Sequence, residues 1–162
     1  MMLGELNLPI GLSVKAANTN DSLFMAQLFY STKTFFYELG LPSEVVETML
    51  EQQYRLQEAS YREQYPNANT YILFYHQQAV GKVMLDISEY RIHLIDFIII
   101  PSMQGRGFGS AILAAIKQEA MKRHLPIGLS VESENTQAKK LYLQHGFKLE
   151  SYSGAYESML WR

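Results

Sequence analysis

Hydrophobic positions follow strand spacing and then helical spacing in the first part of the chain. Residues 10–17 alternate loosely between apolar and polar side chains, which predicts a first strand. Residues 20–22 (Asn-Asp-Ser) are helix-capping types, and the aromatic stretch after them has helical period as far as Leu39. Ser43, followed by regularly spaced glutamates, opens a second predicted helix that ends near residue 65. The first part of the chain is therefore expected to be β-α-α.

From residue 70 the hydrophobic period changes to two. Residues 70–76, 79–87 and 90–100 predict three antiparallel strands, with Gln77-Gln78 as the tight turn between the first two. The third of these stretches is apolar at both odd and even positions. Such a strand is expected at the centre of a sheet that is covered on both faces.

The second half of the chain alternates helices and strands. Pro101 ends the apolar strand, and a glycine-rich turn leads into a helix. Its apolar stripe is Phe108, Ile112, Ala115, Ile116 and Ala120. Residues 127–131 predict a strand, 135–145 a helix closed by Gly146, and 147–161 a final pair of strands. The predicted order is β-α-α-β-β-β-α-β-α-β-β, a mixed α/β fold built on one sheet.

Length and composition narrow the class of protein. A chain of 162 residues favours one domain over residues 1–162, and 48% hydrophobic residues exclude a disordered chain. The net charge of −2 gives no reason to expect a nucleic-acid partner. The absence of cysteine excludes disulfides, thiolate metal sites and cysteine nucleophiles. Neither a leader in residues 1–10 nor a membrane span is expected, so a cytoplasmic location is predicted.

The turn after the apolar strand is the sharpest candidate for chemistry. Glycines let the backbone turn tightly, and the helix that follows presents unpaired N–H groups and a positive dipole end. A phosphate or pyrophosphate is the natural ligand of such a turn. Its residues are Gln104, Gly105, Arg106, Gly107, Phe108, Gly109 and Ser110.

Two other phosphate-binding motifs are alternatives for this turn. A Walker loop would end in Gly-Lys-Ser/Thr, which does not occur here. A dinucleotide-binding fingerprint would need glycine at position 110, where this chain has Ser110. By its spacing alone, the turn is equally well explained as a connection that binds nothing.

A second motif follows on the next predicted helix. At 100° per residue, three of its positions share one helical face: Asn135, Ala138 and Tyr142. The complete second motif is Asn135, Ala138, Leu141, Tyr142, Gly146 and Phe147. Together with Gln104, Gly107 and Gly109, this motif resembles the two signatures of the GNAT superfamily of acyl-CoA-dependent N-acyltransferases. The preceding β-α-α-β-β order is also similar to the N-terminal half of that family.

The resemblance implies a GNAT fold whose central sheet is mixed and mostly antiparallel, and which binds acetyl-CoA where two neighbouring strands splay apart. It places the pantetheine arm against the backbone of Phe97, Ile98 and Ile99, one of whose N–H groups stabilises the developing oxyanion. The pyrophosphate then lies on the amides of residues 105–110, and Asn135 faces the cofactor. Tyr142 would donate a proton to the departing thiolate, which its ordinary pKa near 10 allows.

Each of these roles has a structural alternative. Tyr142 is one of 11 tyrosines, so packing is the alternative to catalysis. Gly107 and Gly109 serve either a close approach to the ligand or turn geometry alone. Asn135 is equally well explained as a helix cap or a ligand contact.

A general base is not assigned. Many family members carry a glutamate where this chain has Ser130. Asp96 lies within an apolar strand, where burial would raise its pKa, but a structural acid with a partner is the favoured interpretation. His93 has a suitable pKa range and is expected to face either solvent or the sheet. Water, or an amine that arrives deprotonated, would need no dedicated residue.

The resemblance assigns the first two helices, their connection and the last strand turn to the acceptor. This half is aromatic, and most of its rings are expected in the core: Phe35, Phe36, Tyr37, Tyr54, Tyr61 and Tyr65. Its acidic residues are expected on a solvated helix face rather than as an amine-binding patch: Glu44, Glu47, Glu51, Glu58 and Glu63. The four histidines are scattered, so no metal is expected.

The sequence therefore predicts an N-acetyltransferase that moves acetyl from acetyl-CoA to a primary amine in a ternary complex. The acceptor is a small-molecule or peptide amine of unknown identity. Two alternatives remain: an acyl-CoA-binding sensor without turnover, favoured by Ser130, and a nucleotide-binding module that uses only the glycine turn. Oligomeric state is open, with a homodimer as one alternative.

Overall fold

The computed structural model describes residues 7–162. Residues 1–6, which belong to the segment 1–10 that was predicted not to be a leader, lie outside the described residues. Mixed α/β order is confirmed, with these bounds: β1 Leu12–Ala16, α1 Ser22–Ser31, α2 Ser43–Gln64, β2 Asn69–Tyr75, β3 Gln78–Ile87, β4 Ile92–Ile99, α3 Phe108–Arg123, β5 Ile127–Glu132, α4 Thr136–Gln144, β6 Lys148–Ser153 and β7 Tyr156–Trp161. Short 3₁₀ helices cover Thr19–Asp21, Thr34–Leu39 and Pro101–Met103.

The strands form one seven-stranded sheet in the order β1-β2-β3-β4-β5-β7-β6. Every neighbouring pair is antiparallel except β4 and β5, which run parallel. The predicted mixed, mostly antiparallel sheet is thus confirmed, and β4 is its central strand. A parallel pair needs a crossover connection, which here is supplied by α3.

The apolar stripe of α3 forms much of the core. All of the predicted stripe residues are buried: Phe108, Ile112, Ala115, Ile116 and Ala120. They pack with the buried residues of the central strands, and Phe147 after α4 is 1% exposed. Burial of this stripe positions the N-terminus of α3, and with it the glycine turn, at one end of the sheet.

The first predicted helix is interrupted. It ends at Ser31, and Thr34–Leu39 forms a separate 3₁₀ helix closed by Gly40 in the left-handed conformation. The expected cap at residues 20–22 is also displaced, because Asn18 and Asp21 form a capping box around Thr19–Asp21. The β2–β3 turn is His76-Gln77, one residue earlier than predicted, and both residues have positive φ. Two such residues are what a type I′ hairpin turn requires.

The six aromatic residues that the sequence placed mostly in the core are exposed or only partly buried, which corrects that expectation. Phe35 and Tyr37 are 52% and 45% exposed, and the other four are only partly buried. The reason is the interrupted helix: a short surface 3₁₀ helix carries Phe35 and Tyr37, while Val46 and Leu50 fill the buried face of α2. Four of the five glutamates of this half are exposed as expected, and Glu58 is partly buried.

Within residues 7–162, no helix is both long enough and apolar enough to span a membrane.

Candidate active site

The candidate site begins where the two parallel strands stop pairing. β4 and β5 pair only from Ile92↔Ile127 to Leu94↔Leu129. The β3–β4 register shifts directly after Leu94, which leaves Ile95 as an extra residue and turns β4 away. From there onward no strand of the described residues pairs with the β5-facing edge of β4, which leaves backbone groups of this edge open to a ligand.

A cavity of about 660 Å³ fills the opening between the strands. Its walls come from β4, β5, the end of α1, α2, the glycine turn and α4. Six aromatic residues line it: Phe29, Phe35, Tyr61, Phe97, Tyr142 and Tyr156. Of the residues predicted for the site, it is lined by Phe97, Ile98, Ile99, Gln104, Gly109, Asn135 and Tyr142. A cavity of this size and mixed lining is typical of a small-molecule site.

The glycine turn borders one end of the cavity. Gly105 and Gly107 have φ of +79° and +83°, and no atom would touch a Cβ there within 4 Å. These two glycines are therefore required by conformation and not by crowding. The first N–H beyond the turn with a backbone acceptor is that of Ala111, which donates to Gly107 O at 3.0 Å. The N–H groups of residues 108–110 are the free first-turn donors that any helix presents.

The side chains of the glycine turn differ in their burial and in their contacts. Gln104 Nε2 donates to Ile99 O at 2.8 Å and so ties the turn to the end of β4. Arg106 is exposed and Ser110 is partly buried. The Phe108 ring packs in the core, 4.9 Å from the ring of Tyr75. Any ligand contact of Phe108 is thus restricted to its backbone.

Gly109 brings α3 close to α4. A Cβ at this position would lie 3.1 Å from Leu141 Cδ2 and 3.9 Å from Ile99 Cδ1. Leu141 packs against the core and also lines the cavity. Gly109 is therefore required by the close packing of α3 against α4, whereas the sequence left open only a close approach to the ligand or turn geometry alone.

The predicted helical face of α4 is present in the cavity wall. Asn135, Ala138 and Tyr142 all line it. Asn135 Oδ1 accepts from Ala138 N–H at 3.2 Å, so the capping role is confirmed, while the amide nitrogen of Asn135 stays available to a ligand.

Tyr142 is 8% exposed, and its ring packs 5.7 Å from that of Phe147. Burial raises its pKa above the ordinary value, and the negative charge of Asp96 raises it further. Within the described residues, no hydrogen bond engages the Tyr142 hydroxyl. The phenol thus stays protonated at neutral pH, which is the form that can donate a proton.

Asp96 has a buried partner that sequence reasoning missed. Lys82 is 2% exposed, and its Nζ lies 3.0 Å from Asp96 Oδ2. This oxygen accepts no hydrogen bond from the described residues, so the contact is an ion pair. Lys82 is paired with Ile98, two residues after Asp96, which places the two side chains diagonally on neighbouring strands. The favoured interpretation of Asp96 as a partnered structural acid is confirmed, and the signal for it was a lysine within the apolar strand 79–87.

A second ion pair missed by the sequence reasoning crosses the cavity. Lys33 Nζ lies 3.6 Å from Glu132 Oε1, and both residues line the cavity. Ser130 also lines it, on the same exposed face of β5 as Glu132. Among the described residues, no group of three His, Asp or Glu side chains could hold a metal ion.

His93 lies away from this cavity, partly buried and stacked on Tyr65 with 5.1 Å between ring centroids. Burial lowers its pKa.

A family model described as the acetyltransferase (GNAT) family matches residues 32–147, which is more than half of the chain and includes both motifs and most of the cavity lining. The chain belongs to the GNAT family. Its membership supports acetyl transfer as the general activity. Among curated protein sequences, none matches this GNAT protein significantly.

Solved structures share the fold over nearly their whole length. PaiA N-acetyltransferase from Thermoplasma acidophilum, crystallised with coenzyme A, is 16% identical with a TM-score of 0.71, over 94% of this chain and 99% of that one. An acetyltransferase from Thermus thermophilus is 19% identical with a TM-score of 0.65, over 95% and 98%. Arabidopsis thaliana Naa50, bound to the bisubstrate analogue CoA-Ac-MVNAL, is 14% identical with a TM-score of 0.62, over 94% and 99%. At these identities, the likeness establishes the GNAT fold.

Proposed function

We propose that this protein transfers acetyl from acetyl-CoA to a primary amine by direct attack in a ternary complex, with Tyr142 as the general acid. One observation carries the proposal. The opening between β4 and β5 has free helix-terminal N–H groups at one end and the protonated phenol of Tyr142 in its wall. An anion-binding turn and a proton donor on one cavity are what a CoA thioester needs.

The residues around the cavity fit acetyl-CoA. The N–H groups of residues 105–110 would hold the pyrophosphate, because a helix N-terminus favours negative charge. The exposed Arg106 adds a positive charge beside them. The edge of β4 at Phe97, Ile98 and Ile99, which has no strand partner, would pair with the amide groups of the pantetheine arm through the backbone groups other than Ile99 O, which accepts from Gln104. The free amide nitrogen of Asn135 is a further donor.

Two other residues of the turn contribute indirectly. The side chain of Gln104 donates a hydrogen bond to Ile99 O and therefore holds the turn at the end of β4. Gly109 lets α3 and α4 approach, which keeps Tyr142 in the same cavity as the turn. The solved structures of PaiA with coenzyme A and of Naa50 with a CoA-peptide analogue support a CoA ligand in this fold.

When bound, acetyl-CoA supplies an activated acyl carbon for attack by the amine. A backbone N–H of Phe97–Ile99 on the free edge of β4 would stabilise the negative charge that develops on the acyl oxygen. Tyr142 would protonate the thiolate, since its phenol carries a proton at neutral pH. We assign no residue to removal of the amine proton, since Ser130 cannot act as a carboxylate base and Asp96 is paired with Lys82.

The same Ser130 favours a second candidate function, an acyl-CoA sensor without turnover. An assay of thiol release from acetyl-CoA against a broad panel of amines, with the acetylated product weighed by mass spectrometry, separates the two. Amine-dependent thiol release and a product heavier by one acetyl group support the enzyme. Tight acetyl-CoA binding without release for any amine overturns it in favour of the sensor. If a nucleotide without the pantetheine arm stabilises the protein as strongly as acetyl-CoA does, the glycine turn alone is the site.

A further inference from the structure

A lysine of the protein itself projects into the candidate acceptor side of the cavity. Lys33 follows α1, and its side chain is 20% exposed. Its Nζ lies 5.7 Å from the centroid of the Phe29 ring and 3.6 Å from Glu132 Oε1. All three residues line the cavity. An aromatic face and a carboxylate are the two groups with which proteins hold an ammonium ion.

The ammonium of Lys33 is held only loosely. A distance of 3.6 Å is longer than a charge-assisted hydrogen bond, and the Glu132 side chain is 52% exposed. Ion pairs of this kind contribute little to stability, so another cation can displace Lys33 at small cost. The long side chain of Lys33 allows it to withdraw without movement of the backbone.

The position of this site matches an acceptor. Glu132 and Ser130 project from the same face of β5, about 7 Å apart along the strand. Tyr156 is the residue of β7 opposite Glu132, and it lines the cavity as well. A cation at Glu132 is therefore bordered by aromatic rings on two sides and lies along the strand that forms one wall of the opening.

We infer that the ammonium group of the acceptor binds between the Phe29 ring and the Glu132 carboxylate, in the place that Lys33 holds in the free protein. This inference rests on the proposed function and assigns the acceptor to the class of cationic alkylamines. Lys33 is then an internal competitor that the substrate displaces. Its removal opens the site, whereas removal of Glu132 or Phe29 weakens it.

A binding measurement tests this without any turnover. Choline and 3,3-dimethylbutan-1-ol have the same shape, but only choline is a cation. We expect calorimetry at low salt to show that choline binds and that the neutral alcohol does not. Lys33→Ala should lower the Kd for choline about fivefold, as expected from loss of one weak competing ion pair. Lys33→Arg should restore the wild-type Kd, and Glu132→Gln should raise it.

Lys15→Ala is the matched control. Lys15 also lies over an aromatic ring, 5.3 Å from the centroid of Phe74, but on β1 and outside the cavity. The Kd of the Lys15→Ala variant for choline should equal that of the wild type. Equal binding of choline and the alcohol, or no gain of affinity in Lys33→Ala, would overturn the inference. A tight choline site in a protein that acetylates no amine would instead overturn the proposed function and leave the cation site standing.

Discussion

At the scale of single residues, the buried environment of Tyr142 decides its chemistry. Burial and the charge of Asp96 both raise its pKa, so the phenol holds its proton throughout the neutral range. Composition alone could not distinguish it from the other tyrosines. Its spacing from Asn135 and Ala138 did so, because helical geometry puts the three side chains on the same wall.

Replacing Tyr142 by Phe should remove the acid and keep the packing. We expect kcat for amine acetylation to fall about 100-fold, the lower part of the range for general acid catalysis, with the Kd for acetyl-CoA almost unchanged. Stopped-flow detection of the released thiol measures the rate. Tyr90→Phe, at a residue that is 81% exposed, is the matched control and should behave as the wild type. A Tyr142→Phe variant as fast as the parent, with chemistry limiting, excludes the phenol as acid.

The Lys82–Asp96 pair leads to a second prediction for single residues. Lys82→Met leaves the carboxylate of Asp96, whose side chain is 15% exposed, without its cation. We expect the free energy of unfolding to fall by about 2–3 kcal/mol, less than for a fully buried pair because some water reaches Asp96. Adding Asp96→Asn should recover part of the loss.

Urea denaturation measures this effect, and Arg55→Met provides its control. Arg55 pairs with Glu51 on the surface of α2, where its side chain is 74% exposed. Its loss should cost less than about 0.5 kcal/mol. Equal effects of the two substitutions would contradict a structural role for the buried pair.

At the scale of secondary-structure elements, the glycine turn is the part of the site that the sequence predicted best. Its position after an apolar strand and before a helix follows from local pattern, and the structure has it there. The first helix was predicted less well, because the turn at Gly40 and the 3₁₀ segment Thr34–Leu39 differ from a regular helix by only a few backbone angles. Hydrophobic period does not detect such a difference.

Gly107→Ala tests the turn. Its φ of +83° is strained for alanine, so we expect stability to fall by about 1 kcal/mol and the Kd for CoA to rise about tenfold as the N–H groups reorient. Gly40→Ala is a close match, since φ is +79° there and no atom lies within 4 Å of the added Cβ. The Gly40→Ala variant should lose similar stability and keep the CoA affinity. Calorimetric titration of each variant with CoA distinguishes the two. If both variants lose CoA affinity, the loss in Gly107→Ala is explained by reduced stability alone.

At the scale of the whole molecule, pairings between distant segments were beyond the sequence. Lys82 and Asp96 meet through the β3–β4 register, and Lys33 and Glu132 meet across the opening between α1 and β5. No local pattern contains either pairing. The mixed, mostly antiparallel character of the sheet was predicted, but the strand order and the position of the one parallel pair, β4–β5, were not.

The stability of the whole fold should depend on pH at both ends. Burial lowers the pKa of His93 and of His145, so the unfolded chain binds protons more readily and stability falls as pH drops below about 6.5. Arg91 also lowers the pKa of His93, and the facing Asp86 opposes this. Burial raises the pKa of Tyr61 and of Tyr142, so stability falls again as pH rises above about 10.

Urea denaturation from pH 5 to 11 measures this profile. In Tyr61→Phe the alkaline decline should be shallower, because one buried phenol no longer titrates. Tyr90→Phe, at an exposed position, should leave the decline unchanged. Identical alkaline slopes in all three proteins would show that the buried tyrosines do not control it.

The proposed reaction requires acetyl-CoA to lie in the opening between β4 and β5. A crystal structure of the protein with acetyl-CoA tests this most directly. We expect pyrophosphate oxygens within hydrogen-bond distance of the N–H groups of residues 105–110, pantetheine along Phe97–Ile99, and the thioester sulfur facing the hydroxyl of Tyr142. A cofactor bound elsewhere, or a Tyr142 ring that turns away from the sulfur, would contradict it.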